Sequence, residues 1–299
     1  MPRNIRVLSV LNKLDTTIIP LENFMNLDEE IEKYILVLDQ SENIAREELN
    51  ILYPNRKLVL LSFKGNKLTK IVKLLKLRIN IIHTHHTKSA LIGLILKIFL
   101  RANFIHSVHS NFCLGYNKIQ KIIFSLVFIF SDKIISNSIA TQNSIPKILS
   151  KNKNVLIYNS IDVLKIKKYL QESKINNSKT KEIVFGTVCR FVEIKNIPLI
   201  IKSFQKIVTL NNYDSKLVLI GSGPKENDLK NLVKTLGITN KVEFTGLLDR
   251  DDVYKRVSNF DAFIISSFAE GFCNAMVEAA ALGIPILATN INPLPEVLG

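Results

Sequence analysis

The chain is poor in cysteine, and none of it is paired in sequence. Cys113, Cys189 and Cys273 are odd in number, widely spaced and form no CxxC. That pattern excludes a disulfide framework and a structural zinc site, and it fits a reducing compartment. Long hydrophobic runs are also missing. Ala90–Leu100 is interrupted by Lys97 and Ile122–Phe130 is short, so neither reaches the roughly 18–20 residues needed to span a bilayer. Both read as buried helices, the alternative being that one touches a membrane surface. Arg3 and Arg6 lead directly into the strand-like run Ile5–Leu11, so no signal peptide is expected. There is no internal repeat, no low-complexity segment and no complete GxGxxG.

Acid is scarce. Asp and Glu number 26 against 40 Lys and Arg, a net charge of +14. Abundant Lys, Asn and Ile account for part of this as a compositional bias. One segment stands out: Lys64, Lys67, Lys70, Lys73, Lys76 and Arg78 alternate with Leu68, Ile71, Val72, Leu74, Leu75 and Leu77, with no acid between Lys64 and Arg78. The spacing makes a basic amphipathic helix. It suits an anionic membrane surface, or else a solvated lysine face. No aromatic-rich basic stripe or known nucleic-acid motif accompanies the charge, so nucleic acid is not expected as a partner.

With 299 residues and 47% apolar composition, the chain can bury two cores. Strand and helix signals alternate, which predicts parallel sheets covered by helices. In the first half, Ile5–Leu11, Tyr34–Leu38, Leu58–Ser62, Ile81–Thr84, Phe104–His109, Lys133–Ser136 and Val155–Tyr158 read as strands. Leu68–Leu77, Ser89–Leu100 and Lys118–Phe130 read as helices. The lysine-rich stretch Lys165–Lys181 reads as terminal helix and linker, giving domains over 1–164 and 182–299. The second domain predicts strands Ile183–Thr187, Lys216–Ile220, Val242–Phe244, Ala262–Ile265 and Ile286–Ala288. Its helices are expected over Pro198–Thr209, Lys225–Leu236, Asp251–Ser258 and from Gly271 onward. Two Rossmann-like halves with a ligand cleft at the strand ends are the architecture this implies.

The densest chemistry lies in Ser266–Glu278. Glu270 falls at a strand-to-helix turn and Glu278 about two turns on. Carboxylates accept hydrogen bonds from sugar hydroxyls, and the helix start between them favours an anion. Two solvated acids near a helix start would give the same spacing. Arg190 and Lys195 sit on the loop after a predicted strand, placed either to hold a diphosphate or simply on a lysine-rich surface. Gly221-Ser222-Gly223-Pro224 reads chiefly as backbone turning, with lining of a nucleotide pocket as the lesser role. His83-Thr84-His85-His86 lacks a partnered Cys, Asp or Glu cluster, so no metal is expected. His109 ends a predicted strand, where it could donate a hydrogen bond to a sugar or serve the fold.

In combination these motifs resemble glycosyltransferase family 4, the retaining, nucleotide-sugar-dependent group 1 transferases of GT-B fold. The features that carry the resemblance are Gly186…Arg190…Lys195-Asn196, Leu219–Pro224, Val242-Glu243-Phe244-Thr245-Gly246, Glu270-Gly271 through Glu278-Ala279, and Gly283-Ile284-Pro285. His83-Thr84-His85, Ser107-Val108-His109, Ser131–Ser138 and Tyr158–Asp162 match more loosely. The resemblance implies that Arg190 and Lys195 hold the diphosphate, Glu270 the donor hexose and Glu278 the ribose. It further implies that Gly271, Phe272, Cys273 and Asn274 meet phosphate or sugar, and that His109 faces the reaction centre. It implies a UDP- or GDP-sugar donor, no required metal, a saccharide or lipid-linked acceptor, and a cytoplasmic enzyme peripheral to the inner membrane face. Two departures stand out. Leu11–Thr17 carries no glycine where the family has a glycine-rich loop, and the chain stops at Gly299 where relatives continue with a strand and helices. An incomplete second domain is therefore expected, either in an active enzyme or in an inactive remnant that binds nucleotide sugar or membrane only.

Overall fold

The computed structural model describes residues 5–12, 14, 21, 24–52, 59–63, 67–114, 116–164, 166, 168, 169, 182–210 and 214–299. The chain divides into two compact units, Met1–Asn159 and Ser160–Gly299. In the first, strands β1 Arg6–Leu11, β2 Glu32–Val37, β3 Val59–Ser62, β4 Ile81–Thr84, β5 Asn103–Val108, β6 Lys133–Ser136 and β7 Asn154–Leu156 form one sheet. Their spatial order is β3-β2-β1-β4-β5-β6-β7, and every pairing is parallel. Alternation along a strand explains why these runs are apolar throughout. Leu8 and Val10 of β1 enter one core, and Val7 and Leu11 enter the core on the opposite face.

The second unit repeats the plan with β8 Ile183–Val188, β9 Ser215–Ile220, β10 Val242–Gly246, β11 Ala262–Ile265 and β12 Ile286–Ala288, in the order β10-β9-β8-β11-β12. Val218, Ile220, Phe263 and Ile265 face one core, Leu217 and Leu219 the other. The sequence order reverses beside β1 and again beside β8, giving each sheet a topological switch point where ligands bind at strand carboxyl ends.

Helices fill the connections. Lys67–Lys76, Thr87–Leu100, Lys118–Phe130, Ile197–Leu210, Glu226–Thr235 and Arg250–Val257 agree with the sequence expectation to within a few residues. Glu42–Leu52, Ile139–Ser144, Lys147–Ser150 and Leu294–Leu298 are helical without having been anticipated. Three of these four span six residues or fewer, too short for an apolar stripe to repeat. The last major helix is Asn274–Ala281, not Gly271 onward, because Cys273 is held in the left-handed region at φ 68°. A second correction concerns Ala90–Leu100 and Ile122–Phe130, read as buried helices. Only one stripe of each packs on the sheet, leaving Leu91, Ile95, Ile98, Ile122 and Leu126 exposed. The first positions of the basic Lys64–Arg78 window, most of the Leu11–Thr17 loop and most of the Lys165–Lys181 linker lie outside the described residues.

Two glycines fix the carboxyl end of the second sheet. Gly221 has φ +132°, and a Cβ there would stand 2.0 Å from the Cys189 carbonyl oxygen. A Cβ on Gly223 would stand 2.4 Å from the Phe191 carbonyl oxygen. The turn after β9 therefore presses directly on the backbone after β8, and Phe191 N–H donates to the Ser222 carbonyl at 2.8 Å. Gly221→Ala should cost about 3 kcal/mol, a fall of about 10 °C in melting temperature. Gly237→Ala, also at positive φ but with open space around its Cβ, should cost only about 1 kcal/mol. Thermal unfolding of the two variants checks the difference.

Candidate active site

In the second unit, two loops meet where β8 and β11 end. The first begins at Cys189 and buries Phe191 as its anchor. It closes in a 3₁₀ turn over Glu193–Lys195, with Asn196 left-handed at φ 47°. The second starts at Ser266. Ser266 Oγ lies 2.8 Å from the Lys195 carbonyl oxygen and 2.9 Å from that of Asn196, a donor shared by two acceptors. Phe268 N–H donates to the Ile194 carbonyl at 2.8 Å. Thr289 Oγ1 donates to the Ser267 carbonyl at 2.9 Å.

This latch brings Lys195 and Glu270 together. Lys195 Nζ donates to Glu270 Oε1 at 2.6 Å, and Ser267 Oγ donates to the same oxygen at 2.6 Å. The Glu270 side chain is 7% exposed and that of Lys195 23%. Burial alone would depress the Lys195 pKa, but the Glu270 carboxylate outweighs it and the net shift is upward. The ammonium therefore stays charged at neutral pH. It uses one of its three N–H groups on Glu270, and Glu270 Oε2 accepts no hydrogen bond among the described residues. Arg190, on the same loop, is exposed and makes no ion pair among the described residues.

Gly271 and Phe272 carry the chain into Cys273, where no side chain caps the helix Asn274–Ala281. Burial first, then the Glu270 charge, pushes the Cys273 thiol up to about 12, so it is a neutral packing group. Cys189 is likewise pushed up to about 11 by burial. Glu278 lies on the same helix but belongs to a separate cluster. Its Oε1 accepts from Arg250 Nη2 at 2.6 Å and from Tyr254 OH at 3.1 Å, and Arg250 Nε donates to Tyr254 OH at 2.7 Å. Sequence reasoning missed Arg250, Tyr254, Ser266 and Ser267. Arg250 and Tyr254 are i and i+4 on a helix capped by Asp249, a spacing that could have flagged them; the serines gave no comparable signal.

In the first unit, His109 lies just beyond β5 and joins a histidine cluster at the ends of β4 and β5. Rings of His83 and His85 are 4.2 Å apart between centroids, those of His85 and His109 5.3 Å. His85 Nδ1 and His109 Nε2 share a hydrogen bond of 3.1 Å, and His83 Nε2 bonds Ser107 Oγ at 2.8 Å. These groups line a cavity of about 160 Å³ with Asn137 and Tyr158. His85 Nε2 and Asn137 Oδ1, both buried, have no partner there. Because one imidazole donates to the other, the remaining nitrogens of the His85–His109 pair present one donor and one acceptor whichever tautomers are present. Among the described residues, no three His, Cys, Asp or Glu side chains are disposed to hold a metal ion.

Burial lowers the His83 pKa to about 4. Burial, then the charges of His86 and His83, lowers that of His109 to about 3. These rings are neutral in the fold but protonate near pH 6.5 when unfolded. Stability is thus fully present above about pH 6.5 and is lost as the pH falls toward 3–4, by up to about 1.4 kcal/mol per pH unit per histidine. Urea midpoints followed by circular dichroism should fall between pH 7 and pH 5, and His109→Gln should flatten that slope.

Residues 168–299 match the family model of glycosyl transferases group 1, and residues 30–164 match that of glycosyltransferase family 4. An uncharacterized glycosyltransferase of Methanocaldococcus jannaschii is 29% identical, across 73% of this chain and 60% of the relative. The UDP-Gal:alpha-D-GlcNAc-diphosphoundecaprenol alpha-1,3-galactosyltransferase of Escherichia coli is 30% identical, across 75% of this chain and 62% of the relative. The chain thus spans less than two thirds of either relative's length. Among solved structures, Anabaena HepE in complex with UDP and glucose has a TM-score of 0.78 at 16% identity, covering 98% of this chain and 82% of that one. That likeness, with the two parallel sheets, gives the chain the GT-B fold, its second sheet shorter than its first. One family model on each unit, and landmark residues in order along both, place the chain in the family 4, group 1 glycosyltransferases.

Proposed function

We propose that the protein transfers a hexose, with retention of configuration, from a nucleoside diphosphate sugar to a saccharide or lipid-linked acceptor. The observation that carries this reading is the Lys195–Glu270 pair, a cation suited to phosphate and an acid suited to hydroxyls joined at 2.6 Å. The names of the Escherichia coli relative and of the Anabaena complex, with their uridine nucleotides and sugars, support the donor class. The diphosphoundecaprenol in the former supports a lipid-linked acceptor.

In this reading Lys195 and Arg190 bind the donor diphosphate. As the bond from the anomeric carbon to phosphate oxygen breaks, charge accumulates on the leaving group, and the two cations stabilise it more than the ground state. Glu270 Oε2 accepts from hexose hydroxyls. The start of the helix Asn274–Ala281, reached through Gly271, Phe272 and Cys273, meets phosphate or sugar. Glu278, oriented by Arg250 and Tyr254, binds the ribose. The acceptor oxygen attacks the face the diphosphate leaves, and its proton passes to the departing phosphate oxygen, so no protein nucleophile is required. In the first unit, His109 offers a hydrogen bond to a sugar hydroxyl. Positive side chains supply the charge stabilisation, and no metal is assigned to the site.

A panel of UDP- and GDP-sugars, tested by melting-temperature shift and then by transfer to polyprenyl-diphosphate sugars, checks the proposal. Lys195→Ala and Glu270→Ala should each lower kcat/KM by about 10²–10³, and exposed Lys255→Ala should not. Parental rates in both site variants would sink the site assignment. Donor binding without transfer to any acceptor would sink the transferase reading.

A further inference from the structure

The cavity of about 160 Å³ in the first unit has no Asp, Glu, Lys or Arg in its lining, and burial holds its histidines neutral. Phe24, Leu27, Val108, Ile135 and Ile157 give it apolar walls. Phe24 and Val108 are buried, whereas Leu27 and Ile157 are exposed, so the cavity opens outward. Its imidazoles are partly engaged with neighbours, His83 with Ser107 and His85 with His109. Two buried polar atoms are left over, His85 Nε2 and Asn137 Oδ1, which have no partner among the described residues. Their residues are only 5% and 4% exposed. Leaving such atoms unpaired is destabilising, and a site that keeps them open is shaped for a ligand or a water.

The group that fills it must bring a donor for Asn137 Oδ1, a partner for His85 Nε2 and little else that is polar. A whole pyranose fails on size and on count. A cavity of about 150 Å³ takes a ring the size of benzene, and a buried hexose sets several hydroxyls against two free atoms. A carboxylate brings charge with no cation to meet it and no hydrogen for Asn137. A methyl group alone leaves both atoms unpaired, and a lone hydroxyl leaves the apolar walls uncovered. A secondary amide ending in a methyl group meets every demand. Its N–H donates to Asn137 Oδ1, its carbonyl accepts from His85 Nε2–H, and its methyl packs on the apolar walls. His85 carries that proton when its Nδ1 accepts from His109 Nε2–H across the bond of 3.1 Å. The N–H and C=O of a trans amide point in opposite directions. That suits partners just beyond β4 and β6, two strand spacings or about 10 Å apart at the backbone. We propose that this cavity receives the N-acetyl group of an acceptor sugar, with Asn137 and His85 as the residues that select for it. The inference rests on the acceptor side of the transfer reading and names its substrate class, an uncharged N-acetylated amino sugar.

Saturation-transfer NMR on the full chain without donor tests the cavity apart from the chemistry. The acetamido methyl of methyl N-acetylglucosaminide should take up the strongest saturation, and this glycoside should bind at least about tenfold more tightly than methyl glucoside. Methyl glucuronide should not bind detectably. Asn137→Ala should cut the preference to about twofold or less. His85→Ala should do the same, and His85→Gln, which keeps an N–H donor, should restore part of it. The ligand series is read on the parental chain, so it decides the question even where a variant folds poorly. Equal binding of the glucoside and the N-acetylglucosaminide, binding of neither (a cavity filled by water only), or full preference in well-folded Asn137→Ala overturns the proposal. Transfer to acceptors lacking the acetamido group at undiminished kcat/KM overturns it while leaving the transferase reading intact. Binding of the acetamido glycoside with no transfer to any acceptor does the reverse.

Discussion

The contact around which the strand ends of the second unit are arranged is the salt bridge between Lys195 and Glu270, 75 residues apart in sequence. A partly buried ion pair gains little net stability, because removing both charges from water offsets most of their attraction. What sustains it is the backbone around it. Ser266 binds the Lys195 and Asn196 carbonyls and Phe268 binds that of Ile194, so the loops after β8 and β11 are tied to each other. Glycines at 221 and 223 lock the turn after β9 against the first of these loops, leaving no room for a side chain. Three strand ends thus hold the ammonium and the carboxylate in register, with hydrogen-bonding capacity left on both.

The two acids of this region are each matched to a cation, Glu270 to Lys195 and Glu278 to Arg250. That leaves Arg190 as a cation without an ion pair among the described residues. Beside these two pairs Arg190 therefore adds positive charge, although acids are what first draw the eye to the sequence. An unpaired arginine beside two compensated carboxylates admits an anion without exposing an uncompensated buried acid.

Much of this was legible in the sequence because parallel sheets impose two clear signals, continuous apolar strands and glycine-rich or charged loops where the strands end. Val7–Leu11, Leu217–Ile220 and Phe263–Ile265 announce themselves in that way. The roles expected for Arg190, Lys195, Glu270 and Glu278 rest on the order of motifs and not on any one of them. What stayed hidden has physical reasons. Arg250 and Tyr254 sit on a charged helix whose outward pattern reads as solvated, and only the fold turns them toward Glu278. The start of the helix at Asn274 depends on the left-handed Cys273, which a non-glycine residue does not advertise. The exposure of Ile98 and Ile122 was missed because an apolar helix reads as buried when composition alone is considered. Its outer stripe becomes visible only once the sheet has claimed the inner one.

The two units handle charge in opposite ways. At the strand ends of the first, burial keeps the rings of His83, His85 and His109 neutral. A neutral pocket with one donor and one acceptor on the His85–His109 pair matches a hydroxyl, which is itself both. It offers nothing to a diphosphate, whose desolvation needs full positive charge. The first unit places its cations instead on the outside, along helices whose exposed stripes are apolar. In the second unit two cations, Arg190 and Lys195, sit just beyond a strand end. Neutral polar groups where a hydroxyl would be read, fixed cations where an anion would be held, and a basic apolar face elsewhere follow from one rule: each charge stands where a partner can compensate it, and burial suppresses charge where none can.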